Sequence, residues 1–261
     1  MIWLFPKTKS MLALFEAIGF LAMAACIKEG LAWYIVIPAW LLVSALVYFA
    51  VSAAALHLHN RFLALLFNAQ QPGEFVRLYA PLTEAKSLRR NVRFTMKSYL
   101  ACAYEAMGKY DKALSVLDSM PEQKKSRQCQ AQAIIDAQRC GVYLSMGKTD
   151  EAKQKYQDLQ SSGSGTVREQ TMELLRIRIA IADGKNTKKD EAYVLLAISK
   201  AATLLQKNEL KLLLGRIYAQ IGEPELSAAY LREVSACPKE LHITADAKNE
   251  LARIMEKSIG G

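Results

Sequence analysis

The sequence predicts an all-α protein in which an N-terminal two-helix transmembrane hairpin is followed by an α-solenoid of helix pairs. Three observations predict this. Residues 10 to 56 carry only Glu16, Lys28 and Glu29 as charges. The chain beyond residue 92 has the apolar periodicity of amphipathic helices. A spacing of small, aromatic and glycine residues recurs along that stretch, so internal repetition is the first organisation to test.

The hairpin comes first. Ser10 to Ile27 is an 18-residue run interrupted only by Glu16. As a helix rising about 1.5 Å per residue it spans roughly 27 Å, enough to cross a bilayer core. Leu31 to Leu56 adds 26 uncharged residues, long enough to tilt or to project beyond the headgroups. The link Lys28-Glu29-Gly30 is so short that both outer ends must lie on the same side. Lys7 and Lys9 precede the first span, and Arg61, Arg77, Lys86, Arg89 and Arg90 follow the second. The positive-inside bias therefore places both termini in the cytoplasm of a multi-pass protein, with a bacterial inner membrane as the expected location. Trp3, Trp33 and Trp40 are expected at membrane interfaces, and Pro38 is expected to kink the second span. Met23-Ala24-Ala25-Cys26 offers a competing reading as the end of a lipoprotein signal, but a longer apolar run begins five residues later.

The body repeats. Ala101, Tyr104, Gly108, Ala113 and Leu117 share their offsets with Cys140, Tyr143, Gly147, Ala152 and Tyr156, and with Gly215, Tyr218, Gly222, Ser227 and Leu231. A further copy, Ile177, Ala180 and Gly184, delays its second helix by three residues, to Ala192. Small residues let two helices approach, the aromatic fills the space between them, and glycine closes the first helix in a left-handed cap. The organisation that follows is a hairpin at 1–60, a juxtamembrane helix (Arg61 to Asn68) with an N-terminal half-repeat at 61–91, repeats at 92–238 and a capping helix at 239–261. The cap is expected from His242 to Ile259, with Ile243, Ala247, Leu251 and Ile254 on one stripe. Ser161 to Gly165 is expected to be a loop between the second and third pairs.

The phrases YLACAYEAMGKYDKALSVL (residues 99–117) and LLLGRIYAQIGEPELSAAYL (residues 212–231) resemble tetratricopeptide repeats. The resemblance covers roughly residues 92–236. It implies helix–turn–helix units of about 34 residues stacked into a right-handed superhelix that binds proteins along a concave groove. Three departures stand out: the periods are a few residues longer, Arg139 replaces a buried leucine, and the helix-ending proline occurs only as Pro121 and Pro238. Related helical-pair solenoids share the same pattern.

Composition narrows function by exclusion. Five cysteines without CxxC pairs argue against a disulfide framework and for a reducing compartment. The net charge of +9 is concentrated near the membrane, with eleven Lys/Arg against six Asp/Glu in residues 62–130 but nineteen against seventeen in residues 131–261. Attraction to anionic lipid accounts for that excess without a nucleic acid. No phosphate loop, dinucleotide fingerprint, GxSxG or HExxH string occurs, and His57 and His59 are too closely spaced on a helix to share a metal. No catalytic residue, metal or cofactor is expected, and the chain is read as a non-enzyme.

Binding residues follow from the groove. In the resembled family the residue after each small marker faces the groove, which selects Cys102, Gly141, Arg178 and Arg216. Arg178 and Arg216 would form a ladder for the carboxylates of an acidic peptide. In the alternative they are solvated or pair internally with Glu173 or Glu209. Tyr99 and Gln138, one turn earlier, are further groove candidates, with simple inter-helix packing as their alternative. Ser98 and Cys102 stand where some family members carry the asparagine and lysine that clamp chaperone C-termini, so that specificity is not implied. Glu16, in mid-span, is either a functional intramembrane carboxylate or one bonded to Ser44, Tyr48 or a second protomer in a homo-oligomer. The functional expectation is a membrane-anchored scaffold that recruits or assembles protein partners. The alternative is a subunit of a transport or secretion-type assembly in which Glu16 acts and the repeats regulate.

Overall fold

The computed structural model describes residues 6–30, 32–85, 88–121, 125–161, 167, 169–185 and 188–259, and among these it is all-helical, with twelve helices and no strand. Trp3, Lys86 and the Ser162–Gly165 part of the expected loop lie outside the described residues.

Helices α1 (Pro6–Lys28) and α2 (Trp33–Phe67) form the N-terminal hairpin around a tight turn in which Gly30 adopts φ 91°. Both are long and apolar enough to cross a membrane, with mean hydropathies of 1.9 and 2.2. Almost nothing in these windows is buried by the rest of the chain, and Leu14, Phe20, Leu41 and Phe49 project outward. The helices meet where Gly19 lies under Trp40. A Cβ there would fall 1.7 Å from the indole, so only glycine admits the ring, which also stacks on Phe15 at 5.1 Å. Trp40 thus packs between the two helices. Pro38 lies inside α2 without breaking it.

No separate juxtamembrane helix exists. At 35 residues α2 is roughly 52 Å long, well beyond a hydrocarbon core of about 30 Å, and it continues through 61–67 into the body. Its final turns bury Leu66 and pack Phe62, Leu63 and Leu65. The boundary expected at residue 60 thus falls within one continuous helix. Helix α3 (Pro72–Thr83) folds back on α2 through Phe75 and Tyr79, both fully buried.

Four helix pairs follow: α4 (Arg90–Ala106) with α5 (Tyr110–Asp118), α6 (Lys125–Ser145) with α7 (Thr149–Ser161), α8 (Glu169–Ala182) with α9 (Lys188–Ser199), and α10 (Leu204–Ile221) with α11 (Pro224–Ser235). Helix α12 (His242–Ile259) comes last. The recurring glycines close all four first helices. Gly108, Gly147, Gly184 and Gly222 lie at φ 69–86°. The next N–H in each case donates back five residues, as Lys109 to Tyr104, Lys148 to Tyr143, Lys185 to Ala180 and Glu223 to Tyr218, at 2.8–2.9 Å. This left-handed closure satisfies carbonyls the helix end would otherwise orphan.

The small markers bring the paired helices together. Ala101, Cys140, Ala113 and Ala152 are buried, Cys140 Sγ donates to the Ala152 carbonyl at 3.3 Å, and Ser227 Oγ donates to the Gly215 carbonyl at 2.7 Å. The third pair corrects the expected register. Ala192 is exposed, and the buried residue near the start of the second helix is instead Asp190, 2% exposed, one residue later than the small residue of the other pairs rather than three. An acid tolerates that place because Arg176 on α8 forms an ion pair with it while also binding Glu173. Arg139, at the expected leucine position, is stabilised likewise by Asp118 at 2.6 Å and Asp136 at 3.5 Å.

The pairs do not run out into an open array. Helix α10 touches α2, and α12 touches α4. One hydrophobic core joins the two ends, with Leu66, Phe75, Tyr79 and Met96 in the same cluster as Leu212, Leu231, Leu241 and Ile243. Polar contacts reinforce the join: His242 Nδ1 lies 3.2 Å from the Ala106 carbonyl, and the Gly73 N–H donates to Glu240 at 3.3 Å. The capping helix has the span and apolar stripe expected of it, and it also closes the curve.

Candidate binding chamber

Closure turns the expected groove into a half-enclosed chamber of about 650 Å³, lined chiefly by α4, α6, α8, α10 and α12, with Phe67 of α2 at its edge. The four positions selected from the repeat spacing, Cys102, Gly141, Arg178 and Arg216, all lie on its wall, and so does Gln138. Tyr99 does not. Its ring packs against Phe67 at 6.0 Å and His59 at 6.1 Å, in the core that joins α4 to α2.

The two arginines are engaged. Arg178 Nη2 donates to Ser145 Oγ at 2.9 Å and to the Gly141 carbonyl at 3.2 Å, and Ser145 donates to Glu105 Oε1 at 3.1 Å. Arg216 donates through Nε to Glu250 at 2.6 Å and through Nη2 to Asp246 at 3.0 Å, both on α12. Burial alone would weaken its hold on the proton, but Glu250 and Asp246 raise its pKa above the ordinary value. The internal pairing considered for these arginines therefore occurs, with partners on the cap and the neighbouring pair rather than Glu173 or Glu209. Gln138 Nε2 donates to Ser98 Oγ at 2.7 Å and to Cys102 Sγ at 3.3 Å, tying α6 to α4.

Glu209 is the functional candidate that the repeat spacing did not select. Its side chain is exposed to the chamber while the chamber wall surrounds it, so its charged form is only partly desolvated. Burial first, and the nearby Glu105 second, push its pKa up to about 7 against the pull of Arg178. Cys102 faces the same space, and burial, with Glu105 and Glu209 adding, pushes its thiol up to about 12, far from a reactive thiolate. A signal for Glu209 was present. The lining follows a helical stripe, Thr171, Leu175 and Arg178 on α8 and Glu209, Leu213 and Arg216 on α10. Extending the selected positions back by two turns reaches Glu209.

In the hairpin, Ser44 Oγ donates to Glu16 Oε2 at 3.3 Å, so the carboxylate has a partner on the adjacent helix. His59 Nδ1 lies 3.4 Å from the Tyr79 hydroxyl within an aromatic cluster. Among the described residues no group of three or more His, Cys, Asp or Glu is arranged to hold a metal ion.

A family model described as tetratricopeptide repeat matches residues 99–131, which take in the end of α4, all of α5 and the start of α6. The match supports a TPR-like family and, with it, a role in protein–protein interaction. Comparison with curated proteins and with solved structures returned no match.

Proposed function

We propose that this chain is a membrane-anchored protein–protein interaction module: α1 and the first two thirds of α2 cross the lipid, and the TPR-like pairs form a short closed solenoid on the cytoplasmic side that recruits or assembles partner proteins. The observation that carries this reading is the attachment, through one unbroken helix, of an outward-apolar hairpin to a body containing a matched tetratricopeptide-repeat pair. The reading has no catalytic step. An acidic peptide could use the Arg178–Arg216 ladder only by displacing Asp246 and Glu250, so the exterior of the pairs is the more accessible partner surface. Cross-linking of the full-length chain in its native membrane, followed by detergent purification, is expected to recover a reproducible protein partner. Repeated recovery of the chain alone would count against the proposal.

The alternative, a transport or secretion-type subunit that works through Glu16, draws support from the cost of a carboxylate in hydrocarbon. The Ser44 bond favours a packing role instead. Glu16→Gln is expected to leave partner recovery intact, and its loss would move the weight to this alternative.

A further inference from the structure

We propose that the chamber is a binding site for an organic cation with an apolar body, its ammonium group seated on Glu209. The chamber has the volume of a small-ligand site at about 650 Å³. Its wall is mainly apolar, with Phe67, Leu144, Leu174, Leu205 and Leu213 among the lining residues, so a ligand must bring apolar surface.

The charges decide the sign of the polar end. Arg178 is held by Ser145 and the Gly141 carbonyl with Glu105 beyond, and Arg216 by Asp246 and Glu250. Both guanidinium groups thus have donors engaged, Arg216 by two carboxylates and Arg178 by neutral oxygens with Glu105 nearby. Glu209 differs: among the described residues no donor reaches its carboxylate and no cation lies within 4.0 Å of it. On the chamber wall two arginines face three carboxylates, Glu105, Glu209 and Asp246, and Glu209 is the one of the three without a direct partner. An ammonium there would supply the missing donors, and an isosteric alcohol would forgo the charge-assisted bond. Burial first and the nearby Glu105 second raise the pKa of Glu209. This inference does not depend on the membrane or partner reading.

The test uses the full-length chain in detergent micelles, with titration into empty micelles subtracted. Phenethylamine, 2-phenylethanol and phenylacetate share one apolar body and differ in charge. At pH 8, where Glu209 is ionised, phenethylamine is expected to bind at least tenfold more tightly than 2-phenylethanol, with phenylacetate weakest. Glu209→Gln should bring phenethylamine down to the level of the alcohol while leaving the alcohol unchanged. Equal binding of amine and alcohol by the native chain overturns the proposal, as does binding of none of the three or a preference for phenylacetate. An amine preference that survives Glu209→Gln overturns it too. Should that variant fail to fold, Glu209→Asp takes its place, with the preference expected to fall because the shorter carboxylate is drawn back toward the wall; an unchanged preference then refutes the seat. Failure of partner recovery would leave these binding data untouched, which keeps the two claims separable.

Discussion

Two glycines at adjacent positions of the repeat register, Gly215 at the small marker and Gly141 just after it, should respond in opposite directions to the same substitution. Gly215 and Gly141 both lie inside first helices, α10 and α6, where alanine is intrinsically better than glycine by about 1 kcal/mol. At Gly215 an added Cβ would stand 2.9 Å from Cγ and Cδ2 of Leu231. Leu231 is fully buried in the core that joins the ends of the chain and has nowhere to move. Overpacking of that kind costs about 1–3 kcal/mol, so Gly215→Ala is expected to be destabilised by about 1 kcal/mol net. That corresponds to a fall of about 2–4 °C in Tm for a chain of this size. At Gly141 the nearest atoms are Arg178 Nη1 at 3.5 Å and Glu105 Oε1 at 3.6 Å, ordinary contact distances at the ends of flexible side chains. Gly141→Ala should therefore keep most of the propensity gain and raise Tm by about the same amount. The assay is thermal unfolding of both variants in one detergent, followed by far-ultraviolet circular dichroism. If Gly215→Ala proves as stable as Gly141→Ala, the close approach of α10 and α11 is misjudged.

Other perturbations probe the remaining joints. Gly19→Val is expected to push Trp40 off α1, costing about 1–3 kcal/mol and changing the near-ultraviolet circular dichroism of the indole. Arg216→Met leaves Asp246 and Glu250 facing each other's charge, and a loss of about 1 kcal/mol should appear as faster amide exchange confined to α12. Glu209 gives a pH signature. Its folded pKa of about 7 lies above the ordinary 4.5, so the folded chain holds the proton more tightly, and its contribution to stability is lost as pH rises through that window. The full linkage is about 3 kcal/mol, which water in the chamber reduces to about 1. Glu209→Gln should thus raise Tm by about 2–4 °C at pH 8 and leave it unchanged at pH 4. Cys102, Glu105, Arg178, Arg216, His242 and Asp246 face the same chamber in both proteins, so the difference between the two profiles isolates Glu209.

Local geometry was legible in the sequence wherever it depends on one residue's own conformation. The four turn glycines are left-handed because each ends a helix beside a carbonyl that needs a donor, and that requirement is written into the spacing. The chamber-lining positions Cys102, Gly141, Arg178 and Arg216 were reached through the family resemblance, which implies that the residue after each small marker faces the groove. What escaped depends on contacts between distant elements. Nothing local in Tyr99 says that Phe67 and His59 will occupy its face, and nothing in Arg216 says that α12 will offer two carboxylates. Closure of the array places residues more than 130 positions apart in contact, as His242 with Ala106, and a repeat pattern read unit by unit carries no record of it. Asp190 shows a third kind of miss. A buried acid looks wrong at a small-residue position until its arginine, Arg176, is located on the partner helix.

The claim on which the account most depends is that the hairpin crosses the membrane with its turn on one side and the helical body on the other. In a Cys26→Ser background, Gly30→Cys places a thiol in the turn, while the native Cys129 is exposed at the surface of α6. A membrane-impermeant maleimide applied to intact cells is expected to label position 30 alone, with Cys129 reacting only after the cells are opened. Labelling of Cys129 in intact cells, or release of the whole chain from membranes by alkaline carbonate, would contradict it.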